Sequence, residues 1–437
     1  MRSFPAAVPA PADPGAGTPF GVYVHIPFCA HRCDYCAFAT WDDRPQLAPD
    51  YVVACRAEID RAVAGGMPAA TSVFFGGGTP SLLPAEDLVS ILEAIPCRVG
   101  AEVTVECNPE HADPERLATW RRGGVTRLSF GVQSMVPAVL ERLGRRHDPD
   151  AVRRAAANAG SAGFAGAYSV DLIFGAVGEH PADWEATIAE VLALDPPPAH
   201  VSAYGLIPEP GTPLGADPTR HPDPDDQADK YLAVDAALAA AGYSWYEISN
   251  WAQPGATCRH NQLYWAQGAY RGFGCAAHSH EAWADGRARR WWNVRTPERY
   301  LRSMARGGEV VGGEEILDPA TRAVEALELR LRTAEGVALR DVPAPGALEL
   351  LEDHGLVVVE GGPAGEGTGR RSRGGSVEVV RTGRAIDAER RGRAEARAGA
   401  GARRSGTRGG EGRDGDRVRL TQRGRLLASE VTVRLLG

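Results

Sequence analysis

The sequence lacks the features that would place it across a membrane or on a nucleic acid. Its 437 residues contain no uninterrupted run of about 18 apolar side chains, so we predict no membrane-spanning helix. The formal net charge is -8, which excludes the overall positive field typical of nucleic-acid-binding proteins. Lys230 is the only lysine among 48 lysine and arginine residues, so an arginine cluster is a weak indication of phosphate binding here.

Residues 1–19 also lack the apolar core of a signal peptide. Pro5, Pro9 and Pro11 interrupt the apolar residues of this segment, which we interpret as a disordered tail of a cytoplasmic protein. The whole chain is 43% hydrophobic and 24% charged, which is typical of a globular protein. Its length suffices for one large domain and a smaller one.

From residue 20 onward, short apolar runs alternate with longer segments that have helical spacing. This alternation predicts β-α-β units and a parallel sheet. A dinucleotide-binding fingerprint is missing, so about six such units favour an α/β fold with a full or partial barrel over a doubly wound sheet. The predicted strands are residues 21–27, 72–75, 102–107, 127–132, 168–174 and 200–206.

Unusual residues follow the predicted strands. In (β/α) barrels the functional groups lie at the carboxyl ends of the strands, so these segments are expected to meet on one rim. The segments are 29–36 with three cysteines, 76–80 with three glycines, 106–109, 131–134, and the fifth strand, which contains Asp171.

Cys29, Cys33 and Cys36 form a Cys-x3-Cys-x2-Cys cluster in a chain whose other five cysteines are dispersed. In a large cytoplasmic chain this pattern favours metal or redox chemistry over a disulfide framework. Soft thiolates suit zinc, Cu(I) or an iron–sulfur cluster. A structural zinc site would need a fourth ligand, which His25 or His31 could supply. A four-iron cluster with three protein thiolates would instead leave one iron open to a small molecule.

The segment from Tyr23 to Cys36, with its His-Ile-Pro-Phe-Cys core, resembles the radical S-adenosylmethionine (SAM) superfamily. The longer pattern resembles the oxygen-independent coproporphyrinogen III oxidase-like group, over about residues 20–360 and 417–436. The resemblance implies a partial (β/α) TIM-like barrel, a [4Fe–4S] cluster on the three cysteines, and SAM on the open iron. In that family one electron from the cluster cleaves SAM to a 5′-deoxyadenosyl radical.

The resemblance also assigns the residues around SAM. A glycine motif would receive the SAM amino group, since backbone without side chains can approach a ligand closely. Glu106 would contact the ribose or the amino group, and three further residues match positions that in relatives can contact a second SAM. In chain order the assigned residues are Tyr23, Tyr35, Gly77, Gly78, Thr79, Glu106, Gln133, Arg145 and Asp171.

The resembled group contains two kinds of protein. One kind oxidatively decarboxylates two propionates of coproporphyrinogen III, and the other, the HemW-type heme chaperones, binds heme and hands it to an acceptor. Phe38 stands where the oxidases carry an extra cysteine, and His260-Asn-x-x-Tyr264-Trp265 resembles the chaperone signature. We therefore predict a heme chaperone, with the oxidase, and a radical SAM enzyme acting on another substrate, as alternatives.

His260 is the predicted heme ligand, because a neutral imidazole is a good axial ligand for heme iron. Cys258, His278 and His280 are competing candidates. The predicted partners are heme, SAM and an acceptor, expected to be a respiratory protein. No nucleic acid is expected, and contact with a membrane would come only through a partner.

These patterns divide the chain after the tail into three parts, the last of them with an insert. Residues 20–250 form the predicted barrel, 251–310 a His- and aromatic-rich extension, and 311–437 a small C-terminal winged-helix-like α+β domain. Residues 361–416 are rich in glycine, arginine and acidic residues and cannot bury a core. They predict a disordered insert within the small domain.

Overall fold

The computed structural model describes residues 17–361 and 415–437. The predicted tail at 1–19 and the predicted insert at 361–416 lie almost entirely outside the described residues. Within the described ranges, no helix combines the length and the apolar character needed to cross a bilayer.

Six parallel strands form the centre of a twelve-stranded sheet, and they are neighbours in sequence order. This arrangement confirms the predicted β-α-β units, since each return to a parallel neighbour requires a crossover. The strands are β1 (Phe20–Ile26), β2 (Ala70–Gly77), β3 (Cys97–Cys107), β4 (Arg127–Gln133), β5 (Tyr168–Phe174) and β6 (His200–Gly205).

Helices connect these strands, and several begin at an aspartate that caps the first turn. Asp113, Asp148 and Asp223 each accept a hydrogen bond from a backbone N–H in the first turn, and a proline follows each of them. The helices are α1 (Ala48–Ala64), α2 (Ala85–Glu93), α3 (Pro114–Arg122), α4 (Pro137–Arg142), α5 (Pro149–Ala159), α6 (Pro181–Leu192) and α7 (Pro224–Ala240).

Additional strands extend the sheet at both edges without closing it. Beyond β6 lie β8 (Asn250–Ala252) and β7 (Ser244–Glu247), and beyond β1 lie β9 (Ala269–Phe273), β10 (His278–Ala282), β11 (Ala288–Asn293) and β12 (Val311–Leu317). The sheet order begins at β12 and ends at β7, so the barrel is partial, as predicted. Three helices accompany this extension: α8 (Arg259–Trp265), α9 (Pro297–Ala305) and α10 (Pro319–Leu331).

A second, three-stranded antiparallel sheet forms the small C-terminal domain. Its central strand, β15 (Arg417–Leu420), pairs with β13 (Val337–Ala338) and β14 (Val357–Glu360). The helices of this domain are α11 (Leu348–Asp353), α12 (Gln422–Leu426) and α13 (Ala428–Leu436). This arrangement agrees with the predicted α+β domain of winged-helix type.

The two faces of the parallel strands differ in polarity. The outer face is apolar and fully buried against the helices, as Val24, Phe75 and Val105 illustrate. The inner face carries buried polar side chains instead, including Ser72, Thr104, Arg127, Ser129, Ser169, His200 and Ser202. The hydrophobic core therefore lies between sheet and helices, and the interior of the barrel is polar.

A buried ion pair joins the small domain to the barrel. The Arg425 guanidinium donates two hydrogen bonds to the Asp235 carboxylate of α7, at 2.9 and 2.7 Å. The same guanidinium lies over the Trp245 ring, 4.4 Å from its centroid. Burial raises the pKa of Asp235, but hydrogen bonds from Arg425 and Trp251 outweigh it, and the net shift is downward.

We expect Arg425→Ala to lower the free energy of unfolding by about 3 kcal/mol, because it leaves a buried carboxylate without its ion partner. Urea unfolding at neutral pH measures this loss. Arg423→Ala is the control: Arg423 is exposed and donates to the His354 carbonyl, so about 0.5 kcal/mol or less is expected. Equal effects of the two substitutions would contradict the assigned role of the ion pair.

Candidate functional site

The carboxyl ends of the parallel strands surround a cavity of ≈ 610 Å³. The residues that the sequence assigned to the cluster and to SAM line this cavity, as does the predicted heme ligand. These residues are Tyr23, Cys29, Cys33, Tyr35, Cys36, Gly77, Gly78, Thr79, Glu106, Gln133, Arg145, Asp171 and His260. The segments that follow β1 to β4, distant in sequence, therefore meet at one site together with Asp171.

The loop after β1 presents three free, partly exposed cysteines to the cavity. Each sulfur has a hydrogen-bonding group nearby. Thr79 Oγ1 lies 3.7 Å from Cys29 Sγ, Arg145 Nη1 lies 3.7 Å from Cys33 Sγ, and Thr40 Oγ1 lies 3.9 Å from Cys36 Sγ. Such donors stabilise thiolates, which are the form that binds iron.

The donor set fits a multi-iron cluster better than a single zinc ion. In residues 17–361 and 415–437, no three His, Cys, Asp or Glu side chains converge on a point that could hold one ion. The thiolates of a [4Fe–4S] cluster bind different irons, so they need not converge on one point. His25, one proposed fourth zinc ligand, uses both ring nitrogens within the protein.

The His25 imidazole connects the cysteine loop to Tyr23 and to the glycine motif. Its Nε2 lies 2.9 Å from the Ala39 carbonyl, which can only accept, so Nε2 carries the proton. Burial lowers the pKa of His25 to about 4, so the ring is neutral at neutral pH. Nδ1 is therefore an acceptor, and the Tyr23 hydroxyl donates to it at 3.0 Å.

Packing around His25 gives a second reason for glycine at the end of β2. Gly77 has a φ of 109°, and a Cβ there would lie 2.3 Å from His25 Nδ1. A Cβ on Gly78 would lie 2.6 Å from the Phe28 carbonyl oxygen. The glycines are thus required by the protein's own packing, in addition to any close approach of a ligand.

Two carboxyl groups line the cavity, Glu106 on β3 and Asp171 on β5. Burial, followed by the charge of Asp171, raises the pKa of Glu106 to about 8, although Gly77 donates its N–H to Glu106 Oε2 at 3.2 Å. Burial also raises the pKa of Asp171, whose Oδ2 accepts from the Ser129 hydroxyl at 2.9 Å. At neutral pH, Glu106 is largely protonated and can donate a hydrogen bond to a ligand.

Gln133 is the last residue of β4, and the side chain of Arg145, which follows α4, reaches the same end of the strand. Arg145 Nη2 donates to Asn108 Oδ1 at 2.8 Å and to the Gly131 carbonyl at 2.9 Å, while Nη1 contacts Cys33 Sγ. Gln133 has a φ of 63°, where the pairing of β4 with β5 shifts by one residue. Arg145, predicted to contact SAM, is thus also a neighbour of Cys33, a predicted cluster ligand.

His260 lies in the cavity wall, but both of its ring nitrogens already have partners. It is fully buried, with Nδ1 2.9 Å from Ser72 Oγ and Nε2 2.9 Å from the Tyr264 hydroxyl. Burial lowers the pKa of His260 to about 3, so the ring stays neutral. Ligation of heme iron through Nε2 would require loss of the Tyr264 hydrogen bond, and this role stays a prediction.

The competing heme ligands are in different surroundings. Cys258 lines the cavity but is buried, with its Sγ 3.6 Å from Glu102 Oε1. His280 is buried with Nδ1 3.0 Å from the Gly268 carbonyl. His278 is exposed and stacks on Trp292, with ring centroids 5.7 Å apart. Neither His278 nor His280 lines the cavity.

The polar floor of the cavity was not predicted from the sequence. It contains Thr104, Arg127 and His200, on β3, β4 and β6. A signal was present: strands of a parallel sheet are usually apolar on both faces, whereas these strands have polar residues at alternate positions. That period of two predicts a polar inner wall.

Comparison with known proteins agrees with this site. The Radical SAM superfamily matches residues 23–191. Heme chaperone HemW of Mycobacterium tuberculosis is 40% identical over 351 residues, covering 78% of this chain and 88% of that protein. Heme chaperone HemW of Escherichia coli K12 is 37% identical over 298 residues, which cover 65% of this chain and 78% of that protein. The structure of coproporphyrinogen III oxidase (HemN) of Escherichia coli, a radical SAM enzyme, has the same fold, with a TM-score of 0.71 and 20% sequence identity. The match covers 96% of this chain and 90% of that chain.

We expect Cys33→Ala to prevent assembly of a stable iron–sulfur cluster, because two thiolates and no third ligand remain on the loop. Anaerobic reconstitution followed by iron analysis and visible absorbance measures the loss. Cys97→Ala is the matched control, since Cys97 is an exposed free cysteine on β3 outside the cavity. A cluster that survives in Cys33→Ala at the level of Cys97→Ala would refute the ligand assignment.

Glu106→Gln should change the pH dependence of stability. The stabilisation of the protonated carboxyl is complete below its unfolded pKa of about 4.3 and is lost as pH rises through its native pKa, which is about 8. Wild type should therefore lose stability relative to Glu106→Gln between about pH 5 and about pH 8, and the difference should level off above that.

Thermal unfolding of the two proteins across this pH range measures the difference. Glu115→Gln removes an exposed carboxylate of α3 and should give a curve parallel to wild type. A constant difference between wild type and Glu106→Gln at all pH values would show that Glu106 ionises normally.

Proposed function

The chain belongs to the HemW heme-chaperone family within the radical SAM superfamily, and we propose that it binds heme and transfers it to an acceptor protein. Membership of the radical SAM superfamily implies a [4Fe–4S] cluster and SAM as cofactors. Heme as cargo, its ligand and the acceptor are the parts that we propose. The acceptor is expected to be a respiratory heme protein, and contact with a membrane would come through that partner.

One observation carries the proposal for heme. Helix α8, which holds the His-Asn-x-x-Tyr-Trp segment, forms a wall of the same cavity that contains the cysteine loop. His260, Asn261 and Tyr264 of this helix line the cavity. The ring of His260 stacks on Phe74, with centroids 5.4 Å apart, so an imidazole and aromatic surface are adjacent there.

The residues at the mouth support a chaperone rather than an oxidase. Phe38, at the position where the oxidases carry an additional cysteine, lines the cavity and is 66% exposed. Ile207 lines the same cavity and is 65% exposed. Exposed apolar side chains of this size at a cavity mouth suit a flat apolar ligand such as a porphyrin.

The chain's own residues would hold the cofactors as follows. Cys29, Cys33 and Cys36 would bind the cluster, with Thr79 and Arg145 donating to sulfur. When bound, the cluster and SAM supply one-electron chemistry. Protonated Glu106 can donate a hydrogen bond to a ligand oxygen, and the bond from Tyr23 to His25 fixes the phenol beside the glycine motif.

Hemin titration tests the proposal, with two substitutions on helix α8. His260→Ala removes the proposed ligand and should weaken binding and shift the Soret band. Tyr264→Phe removes the hydroxyl that bonds Nε2 and should leave hemin affinity equal or higher, because the nitrogen is then free. His278→Ala, which alters an exposed imidazole outside the cavity, is the control.

Two outcomes would contradict the proposal at different levels. Identical hemin spectra and affinities for wild type and His260→Ala would remove His260 from the heme site. The absence of hemin binding, together with SAM-dependent decarboxylation of coproporphyrinogen III that Cys33→Ala abolishes, would replace the chaperone with the oxidase.

A further inference from the structure

The floor of the cavity contains a buried arginine that forms no ion pair with a carboxylate of the described residues. Arg127, at the start of β4, is 7% exposed, and its Nη1 donates to the Ala256 carbonyl at 2.8 Å. Its Nη2 has neither a protein partner nor contact with solvent. No carboxylate of the described residues forms an ion pair with it. A buried guanidinium in this state is costly unless a partner is bound.

Two neighbouring groups are also unsatisfied. Thr104 lies beside Arg127 in the register of β3 and β4, and its hydroxyl has no partner. His200 on β6 has an unpartnered Nδ1. In the described part of the chain, twelve buried side-chain polar atoms lack a partner, and those on cavity-lining residues are these three. The unsatisfied groups of the cavity are thus all on its floor.

The three groups are hydrogen-bond donors. His200 Nε2 lies 2.6 Å from the Tyr246 hydroxyl, whose oxygen also accepts from the Cys258 N–H. Burial raises the pKa of Tyr246 and lowers that of His200, so the phenol keeps its proton and the imidazole is neutral. We assign the tautomer in which the phenol donates to Nε2 and the ring proton lies on Nδ1, because the Tyr246 oxygen already accepts from Cys258. A guanidinium, an imidazole N–H and a hydroxyl suit an anionic acceptor.

The carboxylates nearest this floor are already engaged. Glu102 accepts from the backbone N–H groups of Arg259 and His260, at 3.1 and 3.0 Å. Asp171 accepts from the hydroxyls of Ser129 and Ser202. Burial raises the pKa of Asp171 and the charge of Arg127 opposes that rise, but neither carboxylate forms an ion pair with Arg127 among the described residues. A carboxylate is the acceptor that matches a guanidinium best, because two parallel hydrogen bonds can form.

We propose that the floor made by Thr104, Arg127 and His200 binds a carboxylate of the ligand, and that in this protein the carboxylate is a heme propionate. The second part rests on the proposed function. Small rotations of Arg127 and Thr104 would bring their unpaired groups onto the entering carboxylate. The porphyrin would remain above, towards Phe74 and Tyr264, which line the same cavity.

Hemin and its dimethyl ester, in which both propionates are neutral, distinguish this proposal from a purely structural arginine. Hemin should bind Arg127→Gln about ten-fold or more weakly than wild type, since one charged hydrogen-bonded pair is lost. Thr104→Val should weaken hemin binding less, in the same direction. The dimethyl ester should bind wild type and both variants equally.

Arg122→Gln is the charge-matched control, because Arg122 is exposed on α3, outside the cavity, and donates a hydrogen bond to Thr119. Arg127→Gln should also show a thermal midpoint equal to or above that of wild type without ligand, since an uncompensated buried charge is removed. A lower midpoint, or equal weakening of hemin and its ester, would show a structural arginine and overturn the proposal.

Two further experiments, one with SAM and one with sodium propionate, determine which molecule supplies the carboxylate. SAM should bind reconstituted Arg127→Gln as it binds wild type; a loss that matches the hemin loss would assign the carboxylate to SAM and overturn the propionate. If wild type binds no hemin, the chaperone function fails, and the site is tested with sodium propionate. An Arg127-dependent rise in the thermal midpoint then supports a carboxylate site, and its absence overturns one.

Discussion

The structure depends on the polar inner face of its parallel sheet. Buried hydroxyl, imidazole, guanidinium and carboxyl groups each require a partner, so apolar side chains cannot fill the barrel. The apolar outer face, packed against the helices, supplies the hydrophobic stabilisation instead. The barrel interior therefore stays available to a ligand. Helix α8 fits this requirement, because its N-terminal N–H groups satisfy Glu102 while its side chains complete the cavity wall.

One neutral imidazole makes the elements around the cysteines interdependent. His25 binds the carbonyl of Ala39 beyond the third cysteine, accepts from Tyr23 on its own strand, and occupies the space where Gly77 has no side chain. A shift of the cysteine loop would therefore move His25 and change its packing against the glycine motif. This coupling explains why residues widely separated in sequence have fixed relative positions at the rim.

The sequence was sufficient for the parts of the fold that depend on local patterning. Apolar runs located β1 to β6, and residues such as Asp171 and Glu106 were identifiable because charged groups interrupt or end apolar strands. Strands β9 to β12 were harder to predict from the sequence. Their place in the sheet depends on the pairing of β9 with β1 and on turns that have no periodic sequence pattern. Arg127 and His200 were missed because each begins a strand, where a polar residue is unremarkable until the inner face is known. The hydrogen bonds of His260 to Ser72 and Tyr264 could not be predicted as a set, because Ser72 is distant in sequence and no sequence pattern links it to His260.

The pairing order of the small sheet has a consequence for protein synthesis. Among the described residues, β13 and β14 each pair with β15 and not with each other, and β15 follows them in the chain by more than fifty residues. Neither can complete its hydrogen bonds until residues 417–420 have left the ribosome. Nascent chains that stall within the intervening segment would hold a finished barrel beside two unpaired strands, a species that quality-control proteases and chaperones recognise.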